Sequence, residues 1–278
     1  RMTNRIPLAA VLGHPVAHSR SPVLHGHWLA RYGIAGHYVP IDVAPDHLAD
    51  TLRQLPSLGF VGANVTIPHK EAARALATTS TDRARAIGAA NTLTFGADGA
   101  VHADNTDGHG FLANLTAGAL GWNAASGPAL VLGAGGAARG ILHALLGSGL
   151  SEIRLANRTR AKAQRLADDF GPSIKVIDWD VAGDALSDAT LLVNTTALGM
   201  AGQPPLTLDL SNLTPVCTVT DIVYIPLETE LLKTARACGC HTVDGLGMLL
   251  HQAAPGFEAW FGRTPEVDDD LRRAVLGE

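Results

Sequence analysis

Four side chains in this 278-residue chain combine a reactive type with a useful spacing: Lys70, Asp107, Ser19 and Ser21. Lys70 belongs to Ile67-Pro68-His69-Lys70-Glu71, placed one turn into a helix that succeeds directly on a strand read over 59–66. An ammonium there, in a closed site, shifts its pKa readily and donates to an oxygen that is gaining charge. Asp107 stands at the next strand-to-helix junction and is its natural partner. The same spacing suits a surface lysine and a helix-capping aspartate, and spacing alone leaves both readings open. Ser19 and Ser21 flank Arg20 in an extended segment, so their hydroxyls project to one side. That geometry grips a carboxylate, or caps a helix beginning at Pro22. Asn64, Thr66, Asn91 and Thr106 add neutral donors and acceptors suited to a polyhydroxylated ligand. His14, His18 and His69 lie in the same loops, are expected to be solvated, and are given no catalytic role.

A second reactant needs a holder, and residues 129–144, ALVLGAGGAARGILHA, read as one. Gly133, Gly135 and Ala138 fall on the G-x-G-x-x-G/A spacing of a strand that turns straight into a helix. Gly133 permits the tight turn, Gly135 lets backbone N–H groups approach a pyrophosphate, and Ala138 allows close helix-to-strand packing. The loop Gly133, Ala134, Gly135, Gly136 and Ala137 then lies at the positive end of the helix. Glycine is common in any such turn, so the motif takes its meaning from the next strand. That strand, over 153–156, ends in Asn157-Arg158-Thr159, roughly twenty residues on, where an NAD site places Asp or Glu. No acid stands there. Arg158, Arg160 and Lys162 offer cations to a 2′-phosphate, and such charges at a helix start oppose the helix dipole unless an anion binds. The expected cofactor is NADP.

The elements that position these groups alternate. Strand 7–12, loop 13–22, helix 22–32, strand 37–43, helix 45–55 and strand 59–66 form a βαβ pattern and predict a parallel sheet. A helix over 67–77, with Pro68 in its first turn, and a helix over 82–88 lead to a hairpin of 90–95 with 101–104. A helix over 105–120 closes this part. From 129 the strands 129–132, 153–156, 174–178, 190–194, 218–223 and 241–243 interleave with helices 139–147, 160–170, 182–186 and 228–237, one doubly wound nucleotide domain. Helices 246–261 and 267–276 have no strand left to pair and are expected to return to the first lobe. The fold class is therefore α/β and two-lobed, with a substrate domain from 1–106 plus 246–278 and a nucleotide domain over 107–245. The second reactant is expected between the lobes, with Gly108 and Gly245 as hinge glycines.

Composition narrows the class. With 46% hydrophobic and 17% charged residues the chain is an ordinary folded protein. A net charge of −5 argues against nucleic acid as a partner. No run of about eighteen apolar residues predicts a membrane span, and the start lacks a signal-peptide pattern, so a cytoplasmic location is expected. Arg1, ahead of Met2, is read as an added residue and set aside. Cys217, Cys238 and Cys240 read as thiols in a reducing compartment; Cys238-Gly239-Cys240 lacks the second ligand pair of a structural zinc site, so no metal is expected.

Taken in order, His18-Ser19-Arg20-Ser21-Pro22, Asn64-Val65-Thr66-Ile67-Pro68-His69-Lys70-Glu71, Gly88-Ala89-Ala90-Asn91-Thr92, Asn105-Thr106-Asp107-Gly108, the Gly133 loop, Asn157-Arg158-Thr159 and Asp244-Gly245-Leu246-Gly247-Met248-Leu249 resemble the shikimate dehydrogenases along nearly the whole chain. The resemblance implies a Rossmann-like NADP domain and reversible, NADPH-dependent reduction of 3-dehydroshikimate to shikimate in aromatic amino acid biosynthesis. It implies that Ser19 and Ser21 bind the substrate carboxylate, that Thr66, Asn91, Asp107 and Gln252 bind ring hydroxyls, and that Lys70 with Asp107 is the catalytic pair. By the same resemblance Tyr224 lies near the carboxylate, Gly245 and Met248 wall the nicotinamide, and Asn157, Arg158, Thr159, Lys162, Thr195 and Ile222 serve the cofactor. His14, Ala90 and Ile225 depart from frequent family residues, whereas Ser21 in place of Thr goes with shikimate rather than quinate. The expected partner is a small molecule alone, with the chain a monomer or homodimer. A broad quinate/shikimate dehydrogenase and a non-catalytic NADPH-binding regulator are the alternatives.

Overall fold

A computed structural model describes residues 6–278; Arg1 and Met2 lie outside the described residues. Two compact units divide it, one of residues up to Asp107 with Leu249–Glu278, the other Gly108–Met248.

In the first unit, β1 (Leu8–Gly13), α1 (Ser21–Arg31), β2 (His37–Asp42), a 3-10 turn at Pro45–His47, α2 (Leu48–Gln54) and β3 (Phe60–Val65) succeed one another with short connections. β1 pairs in parallel with both β2 and β3, as the βαβ pattern requires. α3 (Lys70–Leu76), β4 (Thr79–Ser80), α4 (Asp82–Ile87), β5 (Thr92–Phe95), β6 (Val101–Asp104) and the start of α5 (Asp107–Gly118) come next. β5 and β6 form the expected hairpin, and β5 runs antiparallel to β3. The sheet order is β2-β1-β3-β5-β6-β4. Its small and branched inward residues, among them Ala10, Leu12, Ala63, Val65 and Leu93, pack with Val43, Leu48 and Leu52. On the other face Ala9, Val11 and Val16 meet Tyr38 and Trp260.

Two readings need correction here. Helix α3 starts at Lys70, not Ile67: His69 donates its N–H to Thr66 O, and helical bonding begins only with Ala73 N–H to His69 O. The chain uses 67–69 to turn out of β3, so Pro68 precedes the helix and Lys70 is its first residue. β4 is absent from the sequence pattern; it is two residues long, too short for any period to register, and pairs in parallel with β6.

In the second unit β7 (Ala129–Leu132), α6 (Gly136–Gly147), β8 (Ile153–Ala156), α7 (Arg160–Phe170), β9 (Ile174–Ile177), β10 (Leu191–Asn194), β11 (Thr218–Asp221), α8 (Glu230–Ala237) and β12 (Thr242–Val243) build an all-parallel sheet. Its order, β12-β11-β10-β7-β8-β9, reverses direction between β7 and β10. That is the doubly wound arrangement whose switch point receives a nucleotide at the strand C-termini. α6 begins three residues earlier than the pattern suggests, and Trp179–Leu186 is a 3-10 helix. β11 ends at Asp221, two residues short of expectation.

α9 (Leu246–Phe261) starts in the second unit, and its remainder, with α10 (Asp269–Leu276), belongs to the first. There Trp260 donates its indole N–H to Leu93 O, Trp28 donates to Glu266 O, and Arg31 binds Asp268 and Glu266. Gly108 and Gly245 are close-approach glycines. A Cβ on Gly108 would lie 2.6 Å from Gly140 O, and one on Gly245 2.4 Å from Ile222 O.

Candidate active site

In the first unit the ends of β3 and β6 deliver Lys70 and Asp107 to the first positions of α3 and α5. Lys70 Nζ donates to Asp107 Oδ2 at 2.5 Å, and their side chains are 15% and 4% exposed. A carboxylate this deep needs every oxygen occupied. Asn91 supplies the other partner, its Nδ2 donating to Asp107 Oδ1 at 2.9 Å. The same amide reaches Thr106 Oγ1 at 2.9 Å and Gln252 Oε1 at 3.0 Å, while Asn91 Oδ1 accepts the Thr106 N–H at 2.8 Å. Since a backbone N–H can only donate, this last bond turns the Asn91 amino group toward the carboxylate. Lys70 O accepts the Ala90 N–H, so the start of α3 is tied to the residue beside Asn91. Lys70, Asn91, Asp107 and Gln252 thus form one hydrogen-bonded cluster, with an ammonium kept next to polar groups at a partly open position. It is an arrangement able to donate to a ligand oxygen and to hold adjacent hydroxyls.

The loop before α1 is held from two sides. His14 donates its N–H to Ile67 O, and Thr66 donates its N–H to Leu12 O, which joins the serine loop to the turn carrying Thr66. Asp42, at the end of β2, pairs with His14 Nδ1 at 2.6 Å and accepts the Val16 N–H at 3.3 Å. The His14 ring beside it holds the Asp42 carboxyl below its usual range. Ser21 is buried as the first residue of α1, whose N-cap, Arg20, makes no side-chain cap; Ser19 Oγ accepts the Ser21 N–H.

Sequence reasoning missed what lies behind Ser21. Tyr38 is buried, faces the Ser21 hydroxyl and donates to Asn64 Oδ1 at 2.7 Å; burial pushes its hydroxyl well above the usual range. His25, one turn on from Ser21, is fully buried, stacks on Tyr38 with centroids 4.0 Å apart, and is pushed down to about 3 by desolvation. Its spacing from Ser21 is the available signal. His69 also departs from the solvated reading: it is 1% exposed and its Nε2 lies 2.6 Å from Val43 O.

The second unit carries the glycine turn. Gly133 has φ +105°, and a Cβ there would lie 2.5 Å from Thr195 Oγ1, which itself donates to Leu132 O at 2.7 Å. Gly135 is different. Its backbone is extended and no protein atom lies within 4 Å of its Cβ position, so nothing in the protein demands glycine there. Space at the start of a twelve-residue helix with no acid in its first turn and no side-chain cap fits a phosphate that needs N–H groups uncovered. Ala138 is fully buried in the core beneath. Arg158 and Lys162 are exposed and make no ion pair among the described residues, which fits a pair of cations awaiting an anion, whereas Arg160 is taken by Asp178 at 2.6 Å. Asn157 shapes the turn by donating to Thr159 O. Ile222 packs beside the cluster that contains Met248 and touches Gly245. Tyr224 belongs to this unit too, half-buried just after β11. Among the described residues no cluster of ligating side chains could hold a metal, and no helix is long and apolar enough to cross a membrane.

Three family descriptions match in succession: the shikimate dehydrogenase substrate binding domain over 11–93, shikimate / quinate 5-dehydrogenase over 116–200, and the shikimate 5′-dehydrogenase C-terminal domain over 245–275. Shikimate dehydrogenase (NADP(+)) of Paracoccus denitrificans is 62% identical over 270 residues, 97% of this chain and 96% of that one. Among solved structures, quinate dehydrogenase from Corynebacterium glutamicum in complex with NAD has a TM-score of 0.90 at 32% identity, covering 99% of this chain and 100% of that one. Shikimate 5-dehydrogenase from Thermus thermophilus, in complex with NADP(H) and shikimate, gives 0.88 at 36% identity, covering 98% and 99%.

Proposed function

The chain belongs to the shikimate dehydrogenase family, and we propose that it catalyses the reversible, NADP-dependent interconversion of 3-dehydroshikimate and shikimate, with Lys70 and Asp107 as the catalytic pair. The 2.5 Å contact between these two side chains is the observation that carries the assignment of roles. When bound, the nicotinamide supplies or accepts the hydride at the substrate carbon. Lys70 Nζ–H donates to the carbonyl oxygen of 3-dehydroshikimate and delivers the proton that makes it a hydroxyl; in the opposite direction it takes that proton back. Asp107 keeps the ammonium aimed and accepts from a neighbouring ring hydroxyl, while Asn91, Gln252 and Thr66 orient the ring. Ser19 and Ser21, with Tyr224, grip the carboxylate. An interaction of this kind strengthens as the oxygen gains charge, so it acts on turnover more than on binding.

The residues up to Asp107 with Leu249–Glu278 bind the substrate, and Gly108–Met248 bind NADP. Gly133, Ala134, Gly135, Gly136 and Ala137 cradle the pyrophosphate. Asn157, Arg158, Thr159 and Lys162 take the adenosine 2′-phosphate, and Thr195, Ile222, Gly245 and Met248 serve the nicotinamide side. Arg158 and Lys162, with no acid at the end of β8, favour NADP over NAD and so shikimate metabolism over a broad quinate enzyme. The enzyme works on small molecules in the cytoplasm as a monomer or homodimer, without nucleic acid, in keeping with its net charge of −5. The test is formation of reduced nicotinamide, monitored by absorbance, with shikimate or quinate and with NADP or NAD. Rapid turnover confined to shikimate with NADP is expected; comparable quinate and NAD rates would favour the broad enzyme, and no turnover with any pair would leave a binding protein.

A further inference from the structure

Asp221 takes no part in the proposed reaction, yet it is a carboxylate 1% exposed at the end of β11. Burying a carboxylate is expensive unless donors surround it, and each donor here comes from a different segment. Asn194 Nδ2, from the end of β10, donates to Oδ1 at 2.9 Å. The Val223 N–H donates to the same oxygen at 3.0 Å. Thr229 Oγ1 donates to Oδ2 at 2.8 Å and, as the N-cap of α8, accepts the Leu232 N–H. Asn194 is fixed in turn, because its Oδ1 accepts the Thr196 N–H at 3.0 Å and the Thr196 hydroxyl at 2.7 Å.

One side chain therefore ties the end of β10, the first residues after β11 and the start of α8. Between those anchors lies the irregular segment that carries Ile222 and Tyr224. From the other side Ile222 is backed by Gly245, so close that a Cβ there would stand 2.4 Å from Ile222 O. We propose that Asp221 is a positioning residue: by holding Val223 N–H against Asn194 and Thr229 it fixes where Ile222 and Tyr224 present themselves to nicotinamide and substrate. The inference rests on the roles given to Ile222 and Tyr224 under the proposed function.

The chemistry separates two replacements. Asn keeps the shape; its Oδ1 accepts from Val223 and Asn194, and its Nδ2 faces Thr229 Oγ1, which turns to accept. Ala removes every acceptor and frees the segment at Val223. Misplacing a reacting ring by about an ångström lowers the rate on the order of a hundredfold, while the far end of NADP, bound at Arg158, is untouched. The experiment compares wild type, Asp221→Asn and Asp221→Ala with shikimate and NADP, below the melting transition, measuring kcat, and measuring the NADP Kd by quenching of protein fluorescence. Asp221→Ala is expected to lose at least tenfold in kcat with an NADP Kd within about threefold of wild type, and Asp221→Asn to stay within about threefold in both. Should Asp221→Ala not fold, Asp221→Ser, which retains an oxygen for the Val223 N–H alone, takes its place with the same tenfold expectation. A folded Ala or Ser variant that turns over like wild type overturns the proposal, as does an Asn variant as impaired as Ala. Wild-type turnover tests the assigned activity, and only the ratios to wild type test Asp221.

Discussion

Lys70 and Asp107 lie 37 residues apart in the chain and 2.5 Å apart in space, each the first residue of its helix. The contact joins two strand-to-helix junctions of one sheet, so the pair is built by topology. Its asymmetry matters. Asp107 takes Lys70 on Oδ2 and Asn91 on Oδ1, and each oxygen keeps a second lone pair for a ring hydroxyl, whereas the ammonium has three protons and gives one to the carboxylate. The protons left to donate to a ligand oxygen belong to the lysine, and the carboxylate can only accept.

Lys70→Ala should therefore lower kcat by a factor of about 10² to 10⁴, the usual contribution of a positioned acid, while changing the shikimate KM much less. Steady-state kinetics on the purified variant decide it. An unchanged kcat would remove Lys70 from the mechanism.

The glycine turn gives a paired prediction, because its two glycines are glycine for different reasons. Gly133→Ala places a Cβ 2.5 Å from Thr195 Oγ1 at φ +105° and should destabilise the unliganded protein by about 1–3 kcal/mol. Gly135→Ala meets nothing within 4 Å and should melt with wild type, yet weaken NADP by roughly tenfold, since its Cβ enters the space needed by the pyrophosphate. Melting curves with and without NADP separate the two; a destabilised Gly135→Ala with normal NADP affinity would refute the cradle.

Legible in the sequence is whatever repeats or carries a motif. The strand–helix alternation anticipates the parallel pairings of β1 with β2 and β3, and the hairpin of β5 and β6, because each strand is long enough for burial to leave a pattern. Lys70, Asp107, Asn91 and Gln252 read as members of one site, and they are hydrogen-bonded to one another. The two-residue β4 leaves no period to see, and the start of α3 is misread because 67–69 turn before helical bonding begins. Burial of polar groups is the least visible property. His69 precedes α3, His25 lies inside α1 and Asp221 ends β11; each is polar yet buried, and what meets it there, Val43 O, the Tyr38 ring, or Asn194 and Thr229, comes from another segment.

Arg158 is exposed and free of ion pairs among the described residues, so replacing it removes a ligand contact without breaking an internal one. Arg158→Leu should raise the NADP KM by roughly ten- to a hundredfold, the range of a charge-assisted phosphate contact. It should leave NAD, which has no 2′-phosphate, within about threefold. Measured ratios of kcat/KM for the two cofactors check it; equal losses with both would place the 2′-phosphate elsewhere.

Asp221 gives the pH prediction. Burial pushes its carboxyl from 3.8 up to about 6, and its hydrogen-bond partners Val223, Thr229 and Asn194 are neutral. The charged groups of α8 are occupied at the surface, Glu230 with Lys233 and Arg236 with Glu228. Between those two pH values the folded protein holds this proton and the unfolded chain has lost it, so the group's contribution is fully present below about pH 4 and is lost as pH rises through about 6. The size is on the order of 3 kcal/mol across the window. Asp221→Asn does not titrate, so subtracting its stability cancels the other groups. Denaturant unfolding of wild type and Asp221→Asn at acid and neutral pH should show wild type losing stability relative to the variant as pH rises, and a difference that is flat or grows the other way would mean the carboxyl is not held in its neutral form.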